Sequence, residues 1–156
     1  MRIVGGTHRG TVLADVGAGD SAAHLRPTSD RVREALFNML AQGRWGNLVS
    51  GQRVLDLFAG TGALGLEALS RGATQITLVD DGAAARALIR ANIEKLRAMG
   101  VTRLYRRNAT DLAGAWLAAG ATLVWEENAP QPAPEGFELL DQRRYGETWI
   151  TILRAP

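Results

Sequence analysis

The sequence contains no cysteine and only two histidines, His8 and His24. Without cysteine the chain has no disulfide, no thiolate metal ligand and no thiol nucleophile. Two histidines are too few to indicate a metal cluster, and no metal site is predicted.

Long apolar runs are also absent. No stretch approaches the roughly 20 apolar residues of a membrane span, and residues 1–6 lack the apolar core of a signal peptide. These features predict a cytoplasmic protein with no membrane partner. The 156 residues, 46% of them hydrophobic, suffice for one domain with one core.

Lysine is almost missing: arginine makes up 17 of the 18 basic residues, and the exception is Lys95. The charge is uneven, with +3 in residues 1–53, +3 in residues 54–110 and −4 in residues 111–156. Arginine pairs with phosphate and stacks on bases, which modestly favours a nucleic-acid partner. A bias toward arginine that only reflects a GC-rich genome remains an equal alternative.

The hydrophobic pattern predicts an α/β fold. Residues 1–50 are expected to form an appendage, with a strand and glycine turn over 2–12 and then a helix capped by Thr28 or Ser29. Arg33 and Glu34 suit the solvated face of that helix. Residues 51–156 are expected to form the main domain. A strand at 52–58 leads into a glycine loop at 59–65 and a helix through residue 69, which are followed by a strand at 75–79, a helix at about 83–99 and a strand at 101–106.

Three β–α steps in order predict a doubly wound, mostly parallel sheet. The pattern changes after residue 112, where a short helix-like segment (113–120) leads to a strand at 121–125. The last two strands, 137–143 and 148–153, are predicted to form an antiparallel pair that turns at Tyr145-Gly146.

The strongest motif is DLFAGTGALG at residues 56–65. Asp56 leaves the first strand beside a glycine turn whose backbone a ligand can approach closely. Gly60, Gly62 and Gly65 also satisfy the G-x-G-x-x-G pattern, and Asp80 follows 20 residues after Gly60, as in nicotinamide-binding proteins.

A nicotinamide dehydrogenase is nevertheless disfavoured, because Asp56 lies at the exit of the first strand and no second domain remains for a substrate. S-adenosylmethionine fits better. It requires space at the glycine turn for its methionine part, an acid at the second strand for the ribose hydroxyls, and a polar group at the third strand for adenine. Asp56, Gly60 with Gly62, Asp80, and Asn108 with Ala109 supply these in chain order.

Two segments resemble a known family: LRPTSDRVREALFN at residues 25–38, and the glycine motif continued as LEA to residue 68. Together with MRIVGG at residues 1–6, they resemble the RsmD family of rRNA methyltransferases. The resemblance implies a Rossmann-like class I methyltransferase fold. It also implies an S-adenosylmethionine-dependent enzyme that methylates the exocyclic N2 of a guanine in 16S rRNA or the assembling small subunit, as a monomer.

Carried over by position, the resemblance assigns residues to two sites. The cofactor-binding set is Asp56, Phe58, Gly60, Thr61, Gly62, Asp80, Asn108 and Ala109. Many relatives have Asp where this chain has Asn108, but an amide oxygen can still accept a hydrogen bond from the adenine amino group. The RNA-facing set is His8, Arg9, Arg26, Thr28 and Arg31, in the appendage.

One part of the family pattern is missing. The acceptor for the guanine amino group belongs to an Asp/Asn-Pro-Pro-Tyr/Phe tetrad after a fourth strand, and this sequence contains no Pro-Pro. Between Asp111 and Ala121 there is too little chain for that strand and a returning helix, since a crossover takes about a dozen residues or more. We therefore expect a central strand to be missing near 112–120, and no catalytic residue is assigned. Either the protein has a genuine internal deletion there, or the full protein contains residues at this point that the sequence does not include; the family-like sequence that resumes at Ala121 fits both.

Three interpretations follow. The first is an rRNA guanine-N2 methyltransferase whose activity in this chain is in question. The second is a non-catalytic remnant that binds S-adenosylmethionine or RNA. The third, a nicotinamide-dependent oxidoreductase, lacks an evident catalytic Tyr-Lys pair.

Overall fold

The computed structural model describes residues 1–16, 25, 27–108 and 117–156. The described residues form three helices and six strands, which in chain order are α1 (Asp30–Gln42), β1 (Arg53–Asp56), α2 (Ala63–Ser70), β2 (Gln75–Val79), α3 (Ala83–Lys95), β3 (Thr102–Tyr105), β4 (Thr122–Glu127), β5 (Glu138–Tyr145) and β6 (Thr148–Arg154). The chain divides into two compact units, Met1–Asp111 and Leu112–Pro156. No helix among the described residues is long and apolar enough to cross a membrane.

Helix α1 begins where the sequence predicts. Ser29 caps it, with the Oγ atom accepting a hydrogen bond from the Val32 amide at 3.3 Å. The prediction for Arg33 was wrong, because this side chain is fully buried. Its guanidinium donates to the Asp30 carboxylate at 2.6 Å and to the Arg2 carbonyl, and these partners make burial of the charge possible.

The first three strands form the predicted parallel sheet in the order β1-β2-β3. Helix α2 packs closely on one face of this sheet. A Cβ atom at Gly65 would lie 2.6 Å from Leu78 and 2.9 Å from Ile76, so only glycine allows this approach. Ile76, Leu78 and Val79 are fully buried, which places β2 in the core.

Helix α3 ends earlier than the expected residue 99. The Arg97 amide donates to the Glu94 carbonyl at 2.9 Å, and the Ala98 amide donates to the Ile93 carbonyl at 3.0 Å. This pair of bonds is a Schellman motif, which needs a left-handed residue after the helix. Arg97 takes that conformation (φ 52°), so the helix ends before Gly100.

The second unit contains an antiparallel sheet in the order β4-β6-β5. The predicted hairpin of β5 and β6 is present, and it turns through Gly146 at φ 64°. Strand β4 adds a third strand to that pair. Thr151 is fully buried in the sheet, and its Oγ1 atom accepts a hydrogen bond from Gln142 at 2.9 Å.

Losing a central strand would leave its two neighbours as edge strands. Within the described residues, β1 pairs only with β2 and β4 pairs only with β6, so each lies at an edge of its own sheet. The α/β class, the parallel sheet and the antiparallel C-terminal strands are confirmed. Of the expected helix-like segment 113–120, residues 113–116 lie outside the described residues, and residues 117–120 are not helical.

The N-terminal segment packs on the helices beside the parallel sheet. It contains an antiparallel bridge between Arg2 and Val12 in place of the predicted strand. Buried Glu67 on α2 accepts hydrogen bonds from the amides of Val4 at 2.8 Å and Gly5 at 2.9 Å. The segment thus belongs to the first compact unit, and a domain boundary at residue 50 stays a prediction.

Candidate functional site

The glycine turn connects β1 to α2 at the carboxyl edge of the parallel sheet. Gly60 and Gly62 have φ values of 56° and 78°, a left-handed conformation that disfavours other residues. Gly62 is also the N-cap of α2 and has no side chain to satisfy the free amides of the first turn. Ala59, Thr61 and Gly62 are buried and Gly60 is half-buried, so Gly60 is the part of the turn whose backbone a ligand can approach.

Asp80 organises this turn from the end of the neighbouring strand β2. Its Oδ2 atom accepts from the Gly60 amide at 2.9 Å, and its Oδ1 atom accepts from the Gly82 amide at 2.8 Å. A carboxylate has about four lone-pair positions, so about two remain for hydroxyl groups of a ligand. The side chain can therefore shape the turn and bind a ribose at the same time.

Asp56 lies on the face of the sheet that α2 covers. Its Oδ2 atom accepts from the Gly65 amide at 3.2 Å, in the first turn of α2. A carboxylate at this position is stabilised by the positive end of the helix dipole. Asp56 thus joins the end of β1 to the start of α2 and holds the glycine turn between them.

A small cleft opens beside this turn. Its volume is about 90 Å³, and its lining residues are Leu57, Phe58, Asp80, Asp81, Arg107 and Asn108. The Phe58 ring is 76% exposed, which is unusual for a large apolar side chain. Small-molecule sites usually measure about 300–1,000 Å³, so this cleft can hold part of a nucleoside and leaves the rest of the ligand open to solvent.

The structure brings part of the predicted cofactor set together. Phe58, Asp80 and Asn108 line the cleft, and Gly60 is hydrogen-bonded to Asp80. Thr61 is buried away from it, with its hydroxyl 3.5 Å from the Met1 sulfur. Ala109 lies outside the described residues.

The predicted RNA-facing residues lie in the N-terminal segment and at the start of α1. Arg9 and Arg31 are exposed, whereas His8 and Thr28 are half-buried. The His8 amide donates to the Ser70 hydroxyl on α2 at 2.9 Å, and the Thr28 carbonyl accepts from Arg33 at 3.3 Å. Arg26 lies outside the described residues.

Sequence reasoning missed a buried link between the N-terminal segment and the glycine turn. Asn92 on α3 is fully buried, accepts from the Ala14 amide at 2.6 Å and donates to the Ala14 carbonyl at 2.9 Å. Its Nδ2 atom also donates to the Thr61 carbonyl at 2.9 Å. The available signal was its position between Ile89 and Ile93, where an amide on an apolar face needs buried partners.

Arg107 and Asp81 were also missed as cleft residues. Each is the sequence neighbour of a residue that was predicted, Arg107 of Asn108 and Asp81 of Asp80. That adjacency was the available signal. In the part of the chain that the structure describes, no group of three or more His, Cys, Asp or Glu side chains could hold a metal ion.

Comparison with known proteins identifies the family. A family model described as conserved hypothetical protein 95 matches residues 1–115. The chain is 47% identical over 110 residues to ribosomal RNA small subunit methyltransferase D of Escherichia coli (strain K12), which covers 70% of this chain and 50% of that protein. The chain belongs to the RsmD family.

Two further matches agree with this family. The candidate rRNA methyltransferase YlbH of Bacillus subtilis (strain 168) is 40% identical over 109 residues, covering 70% of this chain and 54% of that protein. The solved structure of the candidate methyltransferase yhhF from Escherichia coli superposes with a TM-score of 0.79 and 30% identity, covering 99% of this chain and 97% of that one. The chain spans about half the length of the curated relatives it matches.

Membership of the RsmD family bears on two of the interpretations of the glycine motif. The relatives carry methyltransferase names, which favours a methyl-donor site over a nicotinamide site. The fold expected of a class I methyltransferase is likewise supported by the yhhF structure.

Proposed function

We propose that this RsmD-family chain binds S-adenosylmethionine at the glycine turn and is built to methylate the exocyclic N2 of a guanine in 16S rRNA. The observation that carries the proposal is the Asp80 carboxylate, which holds the amides of Gly60 and Gly82 and keeps lone pairs for ribose hydroxyls.

The side chains of the cleft suit different parts of the cofactor. Asp80 would bind the ribose, Asn108 the adenine, and the exposed Phe58 ring would cover an apolar edge of the molecule. Asp56 and the glycine turn would hold the methionine end. The cofactor, when bound, supplies a methyl group on a positively charged sulfur that an amine can attack.

The guanine amino group is a poor nucleophile because its lone pair is delocalised into the ring. An enzyme has to accept its hydrogen bonds and fix it in line with the methyl group. The tetrad that does so in the family is absent from this sequence. The described residues thus supply the cofactor half of the site, and no side chain is proposed as the acceptor.

This absence favours a second candidate function, a non-catalytic module that binds S-adenosylmethionine and RNA. Among the described strands, β1 and β4 each lie at an edge of their own sheet. In the family the tetrad follows a central strand, and the loss of that strand would leave such edges, so they support a chain without the tetrad. The predicted RNA-facing residues would then bind RNA in both candidate functions: His8, Arg9, Arg26, Thr28 and Arg31.

Calorimetry with an Asp80→Asn variant tests cofactor binding. An amide at position 80 places an NH₂ group against a backbone N–H, which disrupts the turn and removes an acceptor from the ribose. We expect S-adenosylmethionine to bind about 10- to 100-fold more weakly, as for the loss of a charged hydrogen bond. Asp141→Asn, on β5 beside Arg143, is the matched control and should bind like the wild type.

Methyl transfer to partly assembled small subunits then separates the two functions. Transfer of labelled methyl to a guanine N2 would establish the enzyme, whereas Asp80-dependent binding without transfer would establish the binding module. Wild-type protein that binds no S-adenosylmethionine would contradict both.

A further inference from the structure

A strongly basic stretch begins near the candidate cofactor cleft and extends along β3. Residues 97–108 contain four arginines and no aspartate or glutamate. Within the described sheet, β3 pairs only with β2 and is therefore an edge strand. The stretch thus lies at the border of the sheet, where a long ligand can reach it.

The exposed side chains of β3 share one face. Arg103 and Tyr105 are alternate residues and point the same way, about 6.6 Å apart along the strand. Arg103 is exposed, and Tyr105 keeps 41% of its surface accessible. Parallel sheets are usually covered on both faces, so an exposed arginine and tyrosine here differ from ordinary core.

The same surface reaches the cleft through Arg107, which lines it together with Asn108. We name Arg103, Tyr105 and Arg107 the β3 stripe. Asp80 and Asp81 are the acidic residues of the cleft, and the Asp80 carboxylate is already engaged by two backbone amides.

Among the described residues, the guanidinium groups of Arg103 and Arg107 have no hydrogen-bond or ion-pair partner. Some arginines elsewhere are engaged, such as Arg71 with Glu67 at 2.8 Å, whereas exposed Arg90 has no such partner among the described residues. Two unpaired guanidiniums that flank an exposed ring can bind phosphates while a base stacks on the ring.

We propose that the β3 stripe is an RNA-binding surface, which holds a single-stranded stretch of the substrate next to the cofactor cleft. The inference rests on the proposed function for the identity of the nucleic acid. Unpaired RNA is favoured over a duplex, because stacking on Tyr105 requires a base that can leave its helix.

Two variants test the stripe by fluorescence anisotropy, with a labelled single-stranded RNA of mixed sequence as the probe. Tyr105→Ala should weaken binding about tenfold through lost stacking, and Tyr105→Phe should restore it because the ring is kept. Arg103→Gln/Arg107→Gln should reduce the slope of log K against log salt by about 1.4, since two phosphate contacts are lost.

The matched charge control is Arg90→Gln/Arg144→Gln, which removes two exposed arginines outside the stripe. It should change the salt slope by less than about 0.5. Equal losses in the stripe variant and this control would overturn the proposal, since net charge alone would then explain them. Equal loss of binding in Tyr105→Ala for the same RNA as a duplex would overturn it as well.

Calorimetry with S-adenosylmethionine keeps this result separate from the proposed function. Arg103→Gln, which does not line the cleft, should bind the cofactor like the wild type while binding RNA more weakly. If wild-type protein binds RNA through the stripe but binds no cofactor, the stripe stands and the proposed function fails. If the wild-type protein binds the cofactor but no RNA, the proposal for the β3 stripe is overturned and the proposed cofactor binding is not.

Discussion

At the residue scale, buried polar side chains connect parts of the chain that are distant in sequence. Asn92 joins α3 to Ala14 and Thr61, and Glu67 joins α2 to the amides of Val4 and Gly5. A buried polar group costs about 1–3 kcal/mol when a partner is removed. These two side chains therefore hold the N-terminal segment against the glycine turn.

Asn92→Asp should destabilise the protein by about 3 kcal/mol. The aspartate cannot donate, so an acceptor oxygen would replace the Nδ2 donor opposite the carbonyls of Ala14 and Thr61 at a fully buried position. Equilibrium unfolding in urea measures the loss.

Asn47→Asp is the control for the same chemical change. Asn47 is exposed, and only its Oδ1 atom is used, accepting from the amides of Val49 and Ser50. Aspartate keeps both bonds, and the free energy of unfolding should change by less than about 0.5 kcal/mol. Similar effects of the two substitutions would contradict the role of Asn92 as a buried donor.

Arg33 shows why single residues are hard to place from sequence. Its position next to Glu34 suits a solvated helix face, yet it is fully buried. Its partners include the carbonyl of Arg2, 31 residues away along the chain. No local pattern contains that contact.

At the element scale, the end of α3 contains a strained residue. Arg97 occupies the left-handed position of the Schellman motif, where a side chain is disfavoured by about 1 kcal/mol and glycine is preferred. The chain therefore tolerates this strain just after the helix, which ends at Lys95, five residues before Gly100.

Arg97→Gly should raise the free energy of unfolding by about 0.5–1 kcal/mol, because glycine adopts a positive φ without steric conflict. Arg90→Gly, in the middle of the same helix, should lower it by about 1 kcal/mol. Thermal or urea unfolding of the two variants gives the comparison. A lower free energy of unfolding in Arg97→Gly would contradict the claim that Arg97 is strained in its left-handed conformation.

At the scale of the whole molecule, the described strands form two separate three-stranded sheets. The strands that end these sheets on one side, β1 and β4, are those that a lost central strand would leave unpaired. The first unit contains the glycine turn, Asp80 and the cleft, so the proposed cofactor site lies within Met1–Asp111.

S-adenosylmethionine should therefore stabilise the chain against unfolding. A ligand at about 100 times its Kd adds about 2.7 kcal/mol when it binds only the folded state. Thermal denaturation should show a higher Tm for the wild type and a much smaller shift for Asp80→Asn at the same concentration. An equal shift in both proteins would place the ligand elsewhere.

The sequence by itself determined the local elements and the family. Ser29 as a cap, the strand at 75–79, the hairpin at Gly146 and the glycine motif all follow from short-range patterns, since capping, alternation and turn chemistry involve neighbouring residues.

Only the tertiary structure decided the contacts between distant segments. It placed Asn92 against Ala14 and Thr61, buried Arg33 under the Arg2 carbonyl and assigned both oxygens of Asp80 to backbone amides. It also left Arg103 and Tyr105 exposed on an edge strand. Burial and hydrogen-bond partners depend on which surfaces meet in three dimensions, and the pattern along one segment does not contain that information.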